Sequence, residues 1–416
     1  MRPYREQRKV FKCFPMLSKT TSLKYPEELV ERKTGIWWPP QGSSLSAVVK
    51  AKPEDFVVEE ITPDGAVMGA ERAVQRPSFE GLEKPRGCEH LHLKLVKYGW
   101  DSSLALKRLA RALRVGPSRL GFAGTKDKRA LTAQRVSVFE PSVQLLESFN
   151  EKDLWVYPIA WEKERVKLGD LKGNKFTVTL RKLEGGKKEV AAALEASLKD
   201  CETLGVPNFF GLQRFGSSRL NSHLVGEKVI NGDLKGAVFE YLSGSLEGIE
   251  SMEAREARVK IKAFLEENEY GKAIEACPTS LKHERAILGA LSESYRDYGN
   301  ALMRLPGKLL LLFVHAHQSY LFNQELSSML KANGFDLKSL KGEKLELHSI
   351  KPKSFPFLSL NGAERDAVCL AGNARVLSVE ADDAFAKRLK AVVEFSLPKG
   401  SYATMVLRKI TGELSA

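Results

Sequence analysis

Cysteine is scarce in this chain. Its 416 residues include five cysteines, Cys13, Cys88, Cys201, Cys277 and Cys369, scattered and odd in number. That argues against a disulfide framework and fits a reducing compartment. No Cys-x-x-Cys pair occurs, so a structural zinc site is not expected. Long apolar runs are missing too. The longest aliphatic stretch, Leu309–Val314, is far short of the roughly 20 residues a membrane helix needs. No apolar segment with a small-residue cleavage site follows the N-terminus, so no secretory signal is read there. The chain also lacks a Walker loop, a Gly-x-Gly-x-x-Gly turn opening a helix and a Gly-x-Ser-x-Gly elbow. Acid is in short supply: Asp and Glu total 52 against 65 Lys and Arg, a formal charge of +13.

The length suggests two or three domains, and a hydrophobic fraction of 43% fits a folded chain with a sizeable core. The charge surplus fits contact with a polyanion or an acidic surface, or a basic surface kept for solubility. Residues 1–25 carry Arg2, Arg5, Arg8, Lys9, Lys12, Lys19 and Lys24 against Glu6. Such an arm suits RNA phosphates, and equally suits a frayed terminus. Without an amphipathic helix it reads as a cytoplasmic tail, not an organelle transit peptide.

Pattern divides the rest. Residues 36–46, with two prolines and a Gly-Ser pair, read as a loop. Residues 47–50 and 56–61 read as strands, and 62–87 as a turn-rich loop. Residues 90–96 alternate leucine with polar residues, as a half-buried strand does. Asp101, Ser102 and Ser103 are N-cap candidates for a helix to about residue 114, with Leu106, Leu109 and Leu113 as its core stripe. Lys107, Arg111 and Arg114 fall on another face, suited to phosphates or to solvent. Strand, turn and strand follow from Leu120 to Phe139, and 176–180 is a further strand. Residues 189–201 are helical by composition, 253–295 mostly so, and another helix runs near 315–331. Residues 332–375 read as irregular. The apolar segments 391–397 and 402–408, around Pro398-Lys399-Gly400, read as a β-hairpin.

Three segments concentrate chemistry. In Gly121-Phe122-Ala123-Gly124-Thr125-Lys126-Asp127-Lys128-Arg129, one carboxylate sits among three cations, which favour its charged form. An ionised Asp127 suits a base or a nucleophile, although a charged turn has the same look. In Leu171-Lys172-Gly173-Asn174-Lys175-Phe176-Thr177, Asn174 offers a donor and an acceptor for a base edge, and Phe176 a stacking face. A hairpin turn and a core aromatic read the same way. Asn208-Phe209-Phe210-Gly211-Leu212-Gln213-Arg214-Phe215-Gly216 interleaves aromatic, amide and guanidinium groups. His90 and His92 share a strand face, but no fourth ligand is near, so no metal is expected.

Together with Pro53-Glu54-Asp55-Phe56-Val57-Val58-Glu59-Glu60, Gln318-Ser319-Tyr320-Leu321-Phe322-Asn323 and Leu397-Pro398-Lys399-Gly400-Ser401-Tyr402-Ala403-Thr404, these segments resemble the TruD family of tRNA pseudouridine synthases. Six motifs in the family's order span roughly residues 45 to 410. The resemblance implies an α+β fold: a pseudouridine synthase core with a mixed, mostly antiparallel sheet flanked by helices, plus an inserted α+β TRUD domain. It implies a discontinuous catalytic domain over 45–204 and 375–416, the insertion over 205–374, and a basic extension over 1–44. The implied activity is isomerisation of a uridine in tRNA, typically position 13 in the D arm, on a flipped-out nucleotide. Asp127 matches the nucleophile, Asn174 the active-site asparagine, Phe176 the aromatic that stacks on uracil, and Lys50 a lysine beside the carboxylate. Lys126, Lys128, Arg129, Arg214, Lys107 and Arg111 are candidate RNA contacts. The implied partner is tRNA, with no cofactor, metal, membrane or obligate protein partner, and the implied setting is the cytoplasm. The alternative is a catalytically idle tRNA-binding or RNA-folding protein on the same fold.

Overall fold

The structure, a computed structural model, describes residues 33–39, 45–72, 78–216, 219–244 and 250–412. The basic arm of residues 1–25 lies outside the described residues. The strands are β1 (Phe56–Ile61), β2 (His90–Tyr98), β3 (Leu120–Phe122), β4 (Leu131–Phe139), β5 (Leu154–Glu162) and β6 (Gly173–Leu183). After them come β7 (Val206–Pro207), β8 (Lys344–Leu347), β9 (Ala363–Asp366), β10 (Val368–Cys369), β11 (Gly372–Ala381) and β12 (Leu389–Pro398).

One large sheet has the order β11-β12-β6-β1-β4-β2-β5, with β3 paired to β4. β1 and β4 run parallel, and the other pairings in this sheet are antiparallel. The sheet is therefore mixed and mostly antiparallel, and the fold is α+β. The chain leaves it after β6 and returns at β11. In between, β7 pairs with β10 and β8 with β9 in two small ladders.

Alternation builds the strands that hold the site. Phe56, Val58 and Glu60 of β1 point inward together, as do Phe176, Val178 and Leu180 of β6. Leu91, Leu93 and Leu95 of β2 share a core cluster with Leu106 and Leu109 of the helix Ser102–Ala112 and with its C-cap, Leu113. Asp101 caps that helix, accepting hydrogen bonds from the backbone of Ser103 and Leu104 at 2.9 and 3.0 Å. The other face of β2 is only partly solvated, with His92 and Val96 buried there, and Lys97 is buried on the leucine side. His92 does not face water; its Nε2 lies 2.8 Å from the Glu164 carbonyl, and burial lowers its pKa.

Four further expectations need correction. Residues 47–50 form no strand beyond an isolated bridge of Val48 to Arg181, because Lys50 adopts a left-handed φ of 58°. The C-terminal segment is not a hairpin arm but a helix, Ala403–Thr411. Ala403, Val406, Leu407 and Ile410 are all buried and follow the helical spacing i, i+3, i+4, i+7, which becomes visible only when the segment is read through residue 410. The hairpin is instead β11 with β12. Residues 332–375 hold β8, β9 and β10 where irregular chain was expected. The helix expected near 315–331 begins earlier, at Gly307, and takes in the Leu309–Val314 run.

The segment between β6 and β11 supplies a helical layer with its own apolar core, from Val225 to Leu360. Other parts of it belong to the main core instead: Phe209, Phe210, Phe322, Leu326 and Val368 pack in one cluster with Phe176, Phe395 and Met405. Ile36 and Trp38 join that cluster. Asn323 donates to the carbonyl of Thr34 and Ser327 to that of Gly35, at 3.0 and 2.6 Å. Arg408 donates to the carbonyl of Trp38. Residues 33–39 of the expected extension are thus built into the core.

Candidate active site

A cleft of about 390 Å³ opens where β1, β6, the loop between β3 and β4, the turn Leu212–Phe215 and the start of the last helix meet. That volume suits a nucleoside-sized ligand. Phe56 and Val58 line it from β1, and Asn174 and Phe176 from β6. Register explains the grouping: Val58 lies opposite Phe176, and Phe176 lies opposite Phe395 on β12. The Phe176 ring stacks on Phe395 at 5.4 Å and meets Phe56 edge-on at 6.0 Å. Phe176 is therefore both a core side chain and part of the cleft floor. Gly173 lets β6 lie this close to β12, since a Cβ there would meet the Leu397 carbonyl oxygen at 2.2 Å.

Asp127 stands in the loop between β3 and β4, its side chain about one third exposed, with Lys50 Nζ 3.4 Å from Oδ1. That ammonium also lies 4.0 Å from the centre of the Phe56 ring, a cation–π contact that holds it over β1. The left-handed turn at Lys50 swings its side chain to the carboxylate.

The Asp127 loop is clamped from beneath. Ser102 Oγ accepts from the Lys126 backbone N–H at 2.9 Å and donates to the Lys126 carbonyl at 3.0 Å. Gln134 donates to the Gly124 carbonyl at 3.1 Å. Lys97 donates to the carbonyls of Trp100 at 2.9 Å, Lys126 at 3.3 Å and Asp127 at 2.5 Å. Lys126 corrects an expectation: it is not a free phosphate contact. Its ammonium is buried against Glu60 Oε2 at 2.7 Å, while Glu60 Oε1 accepts from the Arg135 backbone at 3.2 Å.

The opposite wall is built from Gln213, Arg214 and residues Ser401–Thr404. Asn323 fixes its base, accepting from the Phe210 N–H at 2.9 Å and donating to the Phe210 carbonyl at 3.1 Å. Arg365 ties it to the last turn, donating to the Asn208 and Gly400 carbonyls at 2.9 and 3.0 Å. Its guanidinium carbon lies 4.1 Å from the centre of the Phe210 ring. Three polar atoms of this cleft are buried without a hydrogen-bond partner: Asn174 Oδ1, Arg214 Nε and Thr404 Oγ1.

The cleft thus gathers Asp127, Asn174, Phe176, Lys126 and Arg214, with Lys50 attached through Asp127. Lys128 and Arg129 are exposed beside it, Arg129 donating to the Ala51 carbonyl at 3.1 Å. Lys107 and Arg111 are exposed on the helix Ser102–Ala112 and do not line the cleft. Among the described residues, no group of three His, Cys, Asp or Glu is placed to hold a metal.

The family model for tRNA pseudouridine synthase D (TruD) matches residues 41–355 and 335–410. The chain belongs to the TruD family. A relative from Methanosarcina barkeri named "Probable tRNA pseudouridine synthase D" is 30% identical over 91% of this chain and 97% of its own length. One of the same name from Methanopyrus kandleri is 36% identical over 81% of this chain and 88% of its own. The crystal structure of a TruD candidate from Methanosarcina mazei superposes with a TM-score of 0.69 at 28% identity. It covers 94% of this chain and 99% of that one. As a TruD family member the chain is an enzyme, an isomerase of the pseudouridine synthase class. Among the described residues, no helix is long and apolar enough to cross a membrane.

Three contributors to this TruD site escaped the sequence reading. Lys97 stands one residue beyond the segment 90–96 read as a strand, and its carbonyl partners on the Asp127 loop are remote in sequence. Tyr402 and Thr404 stood in a family motif but in a segment read as a strand, so their place at a helix start bordering the cleft did not emerge.

Proposed function

We propose that this enzyme converts uridine to pseudouridine in tRNA, at position 13 of the D arm, with Asp127 as nucleophile. The observation that supports it is one carboxylate, faced by Lys50, at the mouth of a nucleoside-sized cleft with an aromatic floor and unpartnered polar atoms. A base inside a helix cannot reach such a cleft, so the target nucleotide flips out. Asp127 attacks the nucleotide at C1′ of the ribose or C6 of the base. The N1–C1′ bond breaks, the uracil turns in the cleft, C5 bonds to C1′, and the bond from Asp127 to the carbon it attacked breaks to regenerate the carboxylate. C5 gives up a proton and N1 gains one, so the product is an isomer and no oxidant or reductant is consumed.

Asn174 supplies an acceptor or a donor to the base edge and Phe176 a stacking surface. Residues 205–374 form the inserted domain whose face, with the synthase core, holds the folded tRNA. The surplus of basic residues supplies affinity through phosphate contacts.

The test uses unmodified tRNA transcript and maps pseudouridine by carbodiimide-dependent primer extension. Wild type gives a stop at position 13, and Asp127→Asn gives none, a loss on the order of 10⁴-fold or more for a nucleophile, while filter binding stays within a few-fold. No product from wild type leaves the idle RNA-binding reading in place. Loss of binding along with activity makes Asp127 structural.

A further inference from the structure

Lys97 is a buried cation of the site region, and its hydrogen bonds to Trp100, Lys126 and Asp127 reach no carboxylate oxygen. It is fully buried, and its ammonium hydrogens go to three backbone carbonyls, of Trp100, Lys126 and Asp127. An ammonium has three donors and no acceptor, so its capacity is filled by the backbone alone. Two of the three carbonyls belong to the loop that presents Asp127. The third lies beside the cap of the helix Ser102–Ala112, whose Ser102 grips the same loop.

A buried lysine that holds only backbone is a costly choice for packing, since methionine fills the same space without a charge to desolvate. What lysine adds is a rigid three-point anchor and a positive charge beneath the loop. We infer that Lys97 is a positioning residue for the Asp127 loop, fixing the direction in which the carboxylate enters the cleft, and that it does so only as the ammonium. This rests on the reading of Asp127 as the attacking group.

The charged groups around Lys97 come from two elements: Asp127 and Lys126 on the loop, and Asp101 at the helix cap. Burial lowers its pKa from the ordinary lysine value to about 8, with Asp127 and Asp101 opposing that shift and Lys126 adding to it. Below about pH 8 the ammonium therefore holds all three carbonyls. As pH rises through 8 it becomes an amine with two hydrogens, and one carbonyl is released.

The experiment measures single-turnover pseudouridine formation on tRNA transcript from pH 6.5 to 9.5, for wild type, Lys97→Met and Lys97→Arg. Product from wild type at pH 7 establishes the activity independently of Lys97; its absence sinks the reading of function and not the assignment of a position. Given that product, Lys97→Met is expected to turn over about 10- to 100-fold more slowly, the effect of misplacing a reacting group by about an ångström. Its tRNA affinity stays within about two-fold, with rates normalised to the folded fraction by circular dichroism. A role in packing alone predicts a lower melting temperature with an unchanged rate per folded molecule, and that result overturns the inference. Wild type is expected to lose rate above about pH 8. In Lys97→Arg, whose guanidinium stays charged, that alkaline fall is expected to vanish. A wild-type rate flat to pH 9.5, or the same fall in Lys97→Arg, overturns the requirement for the ammonium. If Lys97→Arg does not fold, the wild-type profile and Lys97→Met decide.

Discussion

Two walls face each other across the cleft, and they differ in how fully their polar groups are paired. Beneath Asp127, Lys97, Ser102 and the Lys126–Glu60 pair are hydrogen-bonded, and Gln134 is held through its amide nitrogen while its Oε1 is buried without a partner. Across from it, Arg214 Nε and Thr404 Oγ1 are buried with none, as is Asn174 Oδ1 on β6. Buried polar atoms left unpaired are costly, so a fold keeps them where a ligand completes them. The first wall reads as scaffolding that sets one carboxylate, and the second as recognition surface awaiting a base.

The largest effect that separates them is expected from Lys126→Met. It leaves Glu60, fully buried, with a charge and no cation, which costs about 3–5 kcal/mol. Urea unfolding measures it, and adding Glu60→Gln should recover more than half. A loss under about 1 kcal/mol means the pair does not hold the wall. Next comes Asn174→Ala. With Oδ1 already unpartnered, stability should move by no more than about 0.5 kcal/mol, as at uncommitted positions. Turnover should still fall about 10- to 100-fold, corresponding to about 1–3 kcal/mol for a missing hydrogen bond. A variant as damaged in stability as Lys126→Met erases the contrast between the walls. The smallest effect is expected from Lys128→Ala with Arg129→Ala, at the exposed rim. Folding should not change, and the slope of log affinity against log salt should fall by about 0.7–0.9 for each phosphate no longer neutralised. An unchanged slope removes both residues from the RNA surface.

Much of the scaffold was legible because periodicity is local. β1, β2, β4, β6 and the helices Ser102–Ala112 and Lys187–Thr203 stand close to where alternation, capping and composition place them. The helix Ala403–Thr411 was misread because three consecutive apolar residues, Met405, Val406 and Leu407, suit either period over a short window. The cleft was legible where a motif carried it, at Asp127, Asn174 and Phe176. It was illegible where the decisive partner is remote. Lys126 stands between Thr125 and Asp127 like a phosphate contact, yet its partner Glu60 is 66 positions away. Lys97 follows the leucines of β2 in register, and the Asp127 loop closes over its ammonium. Charge is written in the sequence; what neutralises or buries it is written in the sheet order.

That order has a consequence for biosynthesis. β6 is flanked by β1 on one side and β12 on the other, and β12 is made more than 200 residues after β6. Until then a ribosome-bound chain presents β6, with Phe176, Val178 and Leu180, as an open apolar edge, while the whole helical layer is still emerging. Open edges of this kind recruit other strands, and late long-range pairing prolongs the hazard. The nascent enzyme is therefore expected to be a chaperone client during that interval, and truncations ending before residue 389 to aggregate even where their helices form.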